Sequence, residues 1–306
     1  MQTNQPVIEW PTLFVMIATY LTLGLATTLL ADFSLPLAVF VTGLAVAQFS
    51  SLQHEVLHGH PFRNRFFSEA AVFPGVTIFI PYIRFKDTHL AHHHDPILTD
   101  PYDDPESNFV DPKVWVLMPK IGQIVLKANN TLLGRILLGP AVSVWSFVGS
   151  DLAAIFGGDL HILKAWLLHV AGVLMVVGWL WGMDGMPVWA YVIAAYFGFG
   201  LLKIRTFLEH RAHDLARARS VVIEDRGFFA FLFLNNNFHS VHHSQPGLAW
   251  YRLPSLFAQN RDHYLDRNDG YFYPSYLDVF RRYFFHAKDS VPHPLWTPDE
   301  NHRPGV

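Results

Sequence analysis

Charged residues leave long gaps along this chain. Residues 10–31 contain no Asp, Glu, Lys or Arg, and neither do residues 33–54. Residues 165–183 and 185–202 repeat the arrangement later in the sequence. A helix rises about 1.5 Å per residue, so each run is long enough to cross a hydrocarbon layer of about 30 Å. The two members of each pair are separated by a single acidic residue, Asp32 or Asp184, with Pro36 or Pro187 just beyond. The pattern predicts an all-α integral membrane protein with four transmembrane helices arranged as two tight hairpins. The expected spans are 12–31, 35–53, 165–183 and 187–205. The first run lacks the basic stretch and small-residue cleavage site of a signal peptide. Two shorter uncharged runs, 70–83 and 136–150, have 14 and 15 residues. They read as interfacial or re-entrant segments. Residues 228–234 are shorter again and read as interfacial or packed beneath the bundle.

Charge then orients the spans. The first basic residue is Arg63, and the loops at Asp32 and Asp184 contain none. Almost all of the 22 Lys and Arg residues lie between the hairpins or after residue 202. The positive-inside rule places those regions, and with them both termini, in the cytoplasm. The remaining stretch, 246–306, is richer in Pro, Asp, Tyr and Arg and reads as a cytoplasmic tail. Nothing marks a second domain, so residues 1–306 are expected to form a single unit. A net charge of -3 gives no general attraction to nucleic acid. The absence of Cys excludes disulfides, thiolate catalysis and an iron–sulfur centre on this chain.

The chemistry lies in the 18 histidines. Twelve fall into four clusters, at 54–60, 89–94, 210–213 and 239–243, each at or just past a predicted helix end. His54 and His58 are four apart and share a helix face. His89, His92 and His93 form a His-x-x-His-His triplet, and His239, His242 and His243 repeat it. His210 and His213 follow the fourth span. Imidazoles at i, i+3 and i+4 converge on a small volume and bind borderline metals. There are too many for one tetrahedral zinc, which takes four ligands; the number suits two metal ions sharing a space.

This layout resembles the integral-membrane fatty acid desaturase superfamily, which also contains alkane, sterol and carotenoid hydroxylases and ketolases. The resemblance covers about residues 10–245. It implies two non-haem irons that activate O2, a co-substrate, with electrons supplied from outside. It further implies His54 and His58, His89, His92 and His93, and His239, His242 and His243 as ligands. His210 is the further ligand expected after the fourth span, and His213 joins the candidate set. His60 and His94 are extra to the pattern. The stretch from Arg205 to Arg211 looks like the version in bacterial members, which implies a bacterial inner membrane. Glu55, Asp95 and Glu209 are the candidate acidic groups beside the metals. Asp95 comes from an acidic stretch, 95–107, that also holds Asp100, Asp103, Asp104 and Glu106 and reads equally as a solvated loop.

The expected reaction is desaturation of a long-chain fatty acyl or lipid substrate within the membrane, with hydroxylation or ketone formation on the same scaffold as the alternative. Electrons would come from a separate donor such as ferredoxin with its reductase. Arg217, Arg219, Arg226, Arg281 and Arg282 are candidates for its docking, or for contact with anionic lipid. Two other classes are weighed. His54-Glu55-x-x-His58 also matches a zinc-protease motif with Glu55 as base, which leaves the other clusters unexplained. A metal-bearing receptor or assembly factor would have no use for so many ligands.

Overall fold

The computed structural model describes residues 8–297, apart from the side chain of Asp95. Among the described residues, five helices are long and apolar enough to cross a membrane: α1 (Trp10–Phe33), α2 (Leu35–Leu57), α6 (Leu132–Phe156), α7 (Leu160–Gly182) and α8 (Val188–Thr206). Between α2 and α6 lie α3 (Arg65–Ala71), α4 (Tyr82–His92) and α5 (Lys120–Asn129). A short helix, α9 (His239–Ser244), follows α8. The protein is thus an all-α, multi-pass membrane protein; among the described residues the only strands are two residues each, Val222–Ile223 paired in parallel with Phe272–Tyr273. Large apolar side chains such as Phe14, Leu21, Leu167, Leu174 and Ile193 face outward on these helices. In water that surface would be costly; in lipid it is the solvent-matched face.

The tightest crossing is between α2 and α8. A Cβ added to Gly198 would lie 2.5 Å from the Gly43 carbonyl, so only glycine allows the two backbones to approach this closely. At one end of the bundle, Thr27 of α1 accepts from Trp179 of α7 at 3.0 Å, and its carbonyl accepts from the Met186 amide at 2.7 Å. At the other end, the Glu9 amide donates to the Pro61 carbonyl at 2.8 Å, joining the start of α1 to the chain leaving α2.

α6 differs from the sequence expectation of a 15-residue segment. Arg135 and Asp151 bound the uncharged run in the sequence, yet both lie inside the 25-residue helix and are buried. Arg135 donates to the Asn129 carbonyl at 2.9 Å and to Asn108. Asp151 accepts from Arg84 of α4 at 2.9 Å and from Trp166 of α7 at 2.8 Å. Arg84 neutralises Asp151, and neutral acceptors satisfy the Arg135 donors, so charges that otherwise terminate an apolar run are accommodated within the helix. The start of α6 is tied to the tail by Leu133, whose amide donates to the Phe284 carbonyl at 3.0 Å. Replacing Arg84 with Leu leaves Asp151, 2% exposed, facing no cation. A loss of about 3–5 kcal/mol is expected, read as a lowered unfolding temperature in detergent.

The 70–83 run is helical only to Ala71 and resumes at Tyr82. The intervening backbone is inserted between helices, and three carbonyls at its turns are satisfied by side chains. Tyr20 of α1 donates to Ala71 at 2.7 Å, Tyr191 of α8 to Val76 at 2.8 Å, and His169 of α7 to Ile78 at 3.0 Å. Non-helical backbone is tolerated at such depth only when buried in protein and satisfied in this way. Pro81 then caps α4, so the inserted loop fixes where the helix carrying His89 and His92 begins.

Candidate metal centre

Four segments bring their histidines to one end of the bundle. His54 lies in the last turn of α2 and His58 caps it; the chain then leaves through Gly59 at φ +104°, a conformation that favours glycine. His89 and His92 end α4, with His93 as its cap. His210 follows α8 and bridges to Ser220. His239, His242 and His243 occupy α9.

The nine imidazoles sort into two groups. His54, His58, His89, His93 and His242 form one; His92, His210, His239 and His243 form the other. Within each group the potential ligand atoms all lie within 4.8 Å of one another. Each His-x-x-His-His triplet is therefore divided. The i and i+4 members share a face and enter one group, while the i+3 member is rotated around the helix and enters the other. The repeated triplet is thus a device for feeding two adjacent sites from one helix. The groups abut: the rings of His93 and His243 stack with centroids 4.4 Å apart.

The ring nitrogens meet at short range. His92 Nε2 lies 2.8 Å from His210 Nε2, which lies 3.0 Å from His239 Nε2. His93 Nε2 lies 2.9 Å from His89 Nε2 and 3.1 Å from His242 Nε2. Two nitrogens bound at right angles to one metal at about 2.1 Å are separated by roughly 3 Å. The opposite ring edges are held by acceptors. Asp104 lies 2.7 Å from His92 Nδ1 and Glu106 lies 3.0 Å from His89 Nδ1. Carboxylates there fix the Nδ1–H tautomer and aim the Nε2 lone pairs inward. Asn236 Oδ1 (3.2 Å) does the same for His239, and Ser220 Oγ (3.3 Å) lies against His210 Nδ1. Among the described residues, the buried Nε2 atoms of His54 and His58 have no hydrogen-bond partner. Inward lone pairs and unpartnered nitrogens, in residues no more than 2% exposed at His54, His89, His92, His239 and His242, are costly unless cations occupy the space. The residues present fit two borderline metal ions.

The acidic candidates lie behind the ligands. Glu55 accepts from the Trp250 amide at 3.2 Å and lies 3.7 Å from His54 Nδ1. Glu209 pairs with Arg205 at 3.1 Å, accepts from Asn236 at 3.1 Å and lies 3.8 Å from His239 Nδ1. With Asp104 and Glu106 they place four carboxylates around the two groups. Asp95, the remaining candidate, has its side chain outside the described residues. His213 joins neither group; its Nε2 lies 3.2 Å from Asp269. The i+3 relation to His210 would converge only on a helix, and α8 ends at Thr206. His60 pairs with Glu9 at 2.6 Å, and His94 is exposed. Glu55 faces Trp250, and its two helix neighbours belong to a five-histidine group; neither fits a zinc protease with a glutamate base beside the metal. Asn236 and Ser220 were missed by sequence reasoning. Asn236 lies three residues before His239, whereas Ser220 carries no local signal.

Burial alone would push the pKa of His92 down, but the carboxylates of Glu106 and Asp104 outweigh it and raise it to about 9. Without metal this imidazole therefore keeps its proton at neutral pH. Metal binding must displace that proton. Metal affinity is expected to rise by about tenfold per pH unit up to pH 9 on account of this group, with proton release on loading measured by calorimetry in buffers of different ionisation enthalpy.

No curated protein matches the sequence. The family model for fatty acid desaturases matches residues 7–275, a span that contains all four histidine clusters. With two buried metal-binding histidine groups at one end of an apolar bundle, the protein is a membrane oxidoreductase with O2-dependent desaturase/hydroxylase-type activity, and the chain belongs to the fatty acid desaturase family.

Proposed function

We propose that this enzyme is a diiron desaturase of long-chain fatty acyl or lipid substrates in a bacterial inner membrane. One observation carries the reading: nine imidazoles from four sequence clusters converge as two adjacent groups. In this assignment one iron would be held by His54, His58, His89, His93 and His242, the other by His92, His210, His239 and His243. The irons, when bound, supply O2 activation. Asp104 and Glu106 hold the Nδ1 protons of His92 and His89, so the ligand faces stay preorganised. Glu55 and Glu209 add negative charge behind His54 and His239. The ligand set, part buried and part half-buried, limits the access of water to the metal positions. In the balanced reaction two hydrogens leave adjacent carbons of the substrate, two electrons and two protons come from outside, and O2 leaves as two waters. Without Cys the chain has no iron–sulfur relay, so the electrons call for a separate carrier, in our reading ferredoxin with its reductase.

Four crossings are favoured over five. α6 is tied at its start to the tail through Leu133, and at its middle to Lys203 near the end of α8 through Ser143 at 2.6 Å. Near its other end Asp151 meets Arg84, in the same helix as His89, and the following helix begins with His161 on Asp87 at 2.8 Å. Both ends of α6 thus lie against the histidine-bearing end, as expected for a helix lying along one leaflet. The remaining four helices then form two hairpins, and the abundance of basic residues on the histidine side supports cytoplasmic termini.

Lipid analysis of a host expressing the protein tests the reaction. The expected product is an acyl chain with one additional double bond, formed only with O2 and a reductant. A chain that gained an oxygen instead would assign the hydroxylase alternative. Unchanged lipids from protein carrying one zinc would contradict both.

A further inference from the structure

The family match ends at residue 275, but the chain beyond it returns to the metal centre. Residues 284–293 zip along two other segments. The Lys288 amide donates to the Asn130 carbonyl at 3.0 Å, and Asn130 Nδ2 donates to the Asp289 carbonyl at 2.7 Å. The Val110 amide donates to Val291 at 3.0 Å, and the His293 amide donates back to Val110 at 2.9 Å.

Three side chains of residues 284–296 then reach inward. Lys288 Nζ, with its side chain 5% exposed, donates to the backbone carbonyl of His210 at 3.1 Å. His293 Nε2 lies 3.1 Å from Thr99 Oγ1. Trp296 Nε1 donates to Asp100 at 3.0 Å. Thr99 is itself a link, because its amide donates to Asp104 Oδ2 at 2.8 Å, and Asp104 Oδ1 holds His92 Nδ1 at 2.7 Å. Two separate routes therefore run from the segment to His210 and to His92. The Nε2 atoms of these two residues are 2.8 Å apart, and both belong to the four-histidine group. The five-histidine group draws its members from α2, α4 and α9. Among the described residues, the segment reaches it only at second hand, through Glu106, whose amide donates to Asp104 at 2.9 Å.

We propose that residues 284–296 form a positioning strap for the four-histidine site, with Lys288 and His293 as the residues through which it acts. The inference rests on the two-metal reading above and goes beyond it, because it makes the two sites unequal. One is built into helices and held by their packing. The other depends on a segment outside the matched family region to keep two of its four imidazoles in register. The strap residues touch neither substrate nor metal; they act through the His210 carbonyl and through the Thr99–Asp104–His92 chain. Removal of an outer partner of a ligand typically costs about 10–100-fold in metal affinity.

The test compares wild-type protein, Lys288→Met, His293→Ala and His293→Gln, with the exposed Leu295→Ala as control. Each is loaded with Fe2+ anaerobically in detergent and titrated with a chelator. The strap predicts that Lys288→Met and His293→Ala release one of two irons at about 10–100-fold lower chelator concentration, while the second iron is unchanged. His293→Gln, which keeps a polar group facing Thr99, restores retention in part, and Leu295→Ala behaves as wild type. Hydrogen–deuterium exchange on metal-free protein gives an independent readout: amides of residues 99–106 exchange faster in His293→Ala than in wild type. Equal loss of both irons, or no change in retention and exchange, would overturn the strap. Wild-type protein that never holds two irons would overturn the two-metal reading instead. In that case unchanged exchange in His293→Ala would still refute the strap, and faster exchange would support its hold on the acidic loop. Should His293→Ala fail to reach the membrane, Lys288→Met carries both measurements, with exchange followed at residues 209–211.

Discussion

Replacing His242 with Ala is expected to abolish product formation, by at least about 100-fold, while leaving the protein in the membrane. Loss of a direct ligand should exceed the 10–100-fold in metal affinity that removal of a mere outer partner costs. His242 is 2% exposed, and its Nε2 lies 3.1 Å from that of His93. Its ring packs with centroids 4.7 Å from both His54 and His58. It is the one member of the five-histidine group that comes from α9, so its removal detaches that helix from the site built by α2 and α4. The fold does not depend on it to the same degree. α9 is anchored by Val241 and by the preceding Phe238, both 0% exposed in a cluster with Leu253 and Phe257. Metal analysis, product analysis and membrane yield of the same preparation separate the two effects. His213→Ala serves as contrast: it pairs with Asp269 at the surface and should retain nearly full activity.

The second large effect is expected at Asp104. Its side chain is 1% exposed and holds three groups at once: His92 Nδ1, the Thr99 amide and the Glu106 amide. Asp104→Ala leaves two backbone donors without their acceptor, at about 1–3 kcal/mol each where they stay buried. It also frees the tautomer of His92. Metal affinity should fall by about 10–100-fold, and thermal stability should fall with it. Asp104→Asn separates the contributions, because it keeps one acceptor oxygen but not the charge. The sign of the pH effect follows from His92. Its pKa is raised to about 9 in part by this carboxylate, so the variant lowers it, and the rise in metal affinity between pH 7 and 9 should flatten. Chelator competition across that range, with unfolding followed in parallel, checks both statements.

Much of this arrangement is legible in the chain. Four uncharged runs became α1, α2, α7 and α8, because lipid-facing helices must be apolar over a full crossing and short loops leave little room for error. The periodicity of the histidines carried the convergence of nine imidazoles, since i, i+3 and i+4 spacing is a property of the helix itself. The failures share a cause. The run within α6 reads as short because Arg135 and Asp151 have no partner visible in the sequence, whereas tertiary structure supplies Asn108 and Arg84. His213 was grouped with His210 by a spacing rule that no longer holds once the helix has ended. Nearness along the chain does not single out Asp104 and Glu106 within the acidic stretch; the turn-rich segment folds back to bring them onto His92 and His89. The links through Ser220 and Lys288 join segments far apart in sequence and leave no local pattern at all.

The chemistry turns on nine imidazoles holding two metal ions at the end of an apolar helical bundle. Its most direct test is Mössbauer spectroscopy of anaerobically purified, iron-57-enriched protein, quantified against protein concentration. Two ferrous ions per chain are expected in two different environments, one for the five-histidine and one for the four-histidine group, both with nitrogen-rich ligation and neither surviving His242→Ala and His210→Ala combined. A single ferrous site per chain, or two that persist when both histidines are gone, would contradict it.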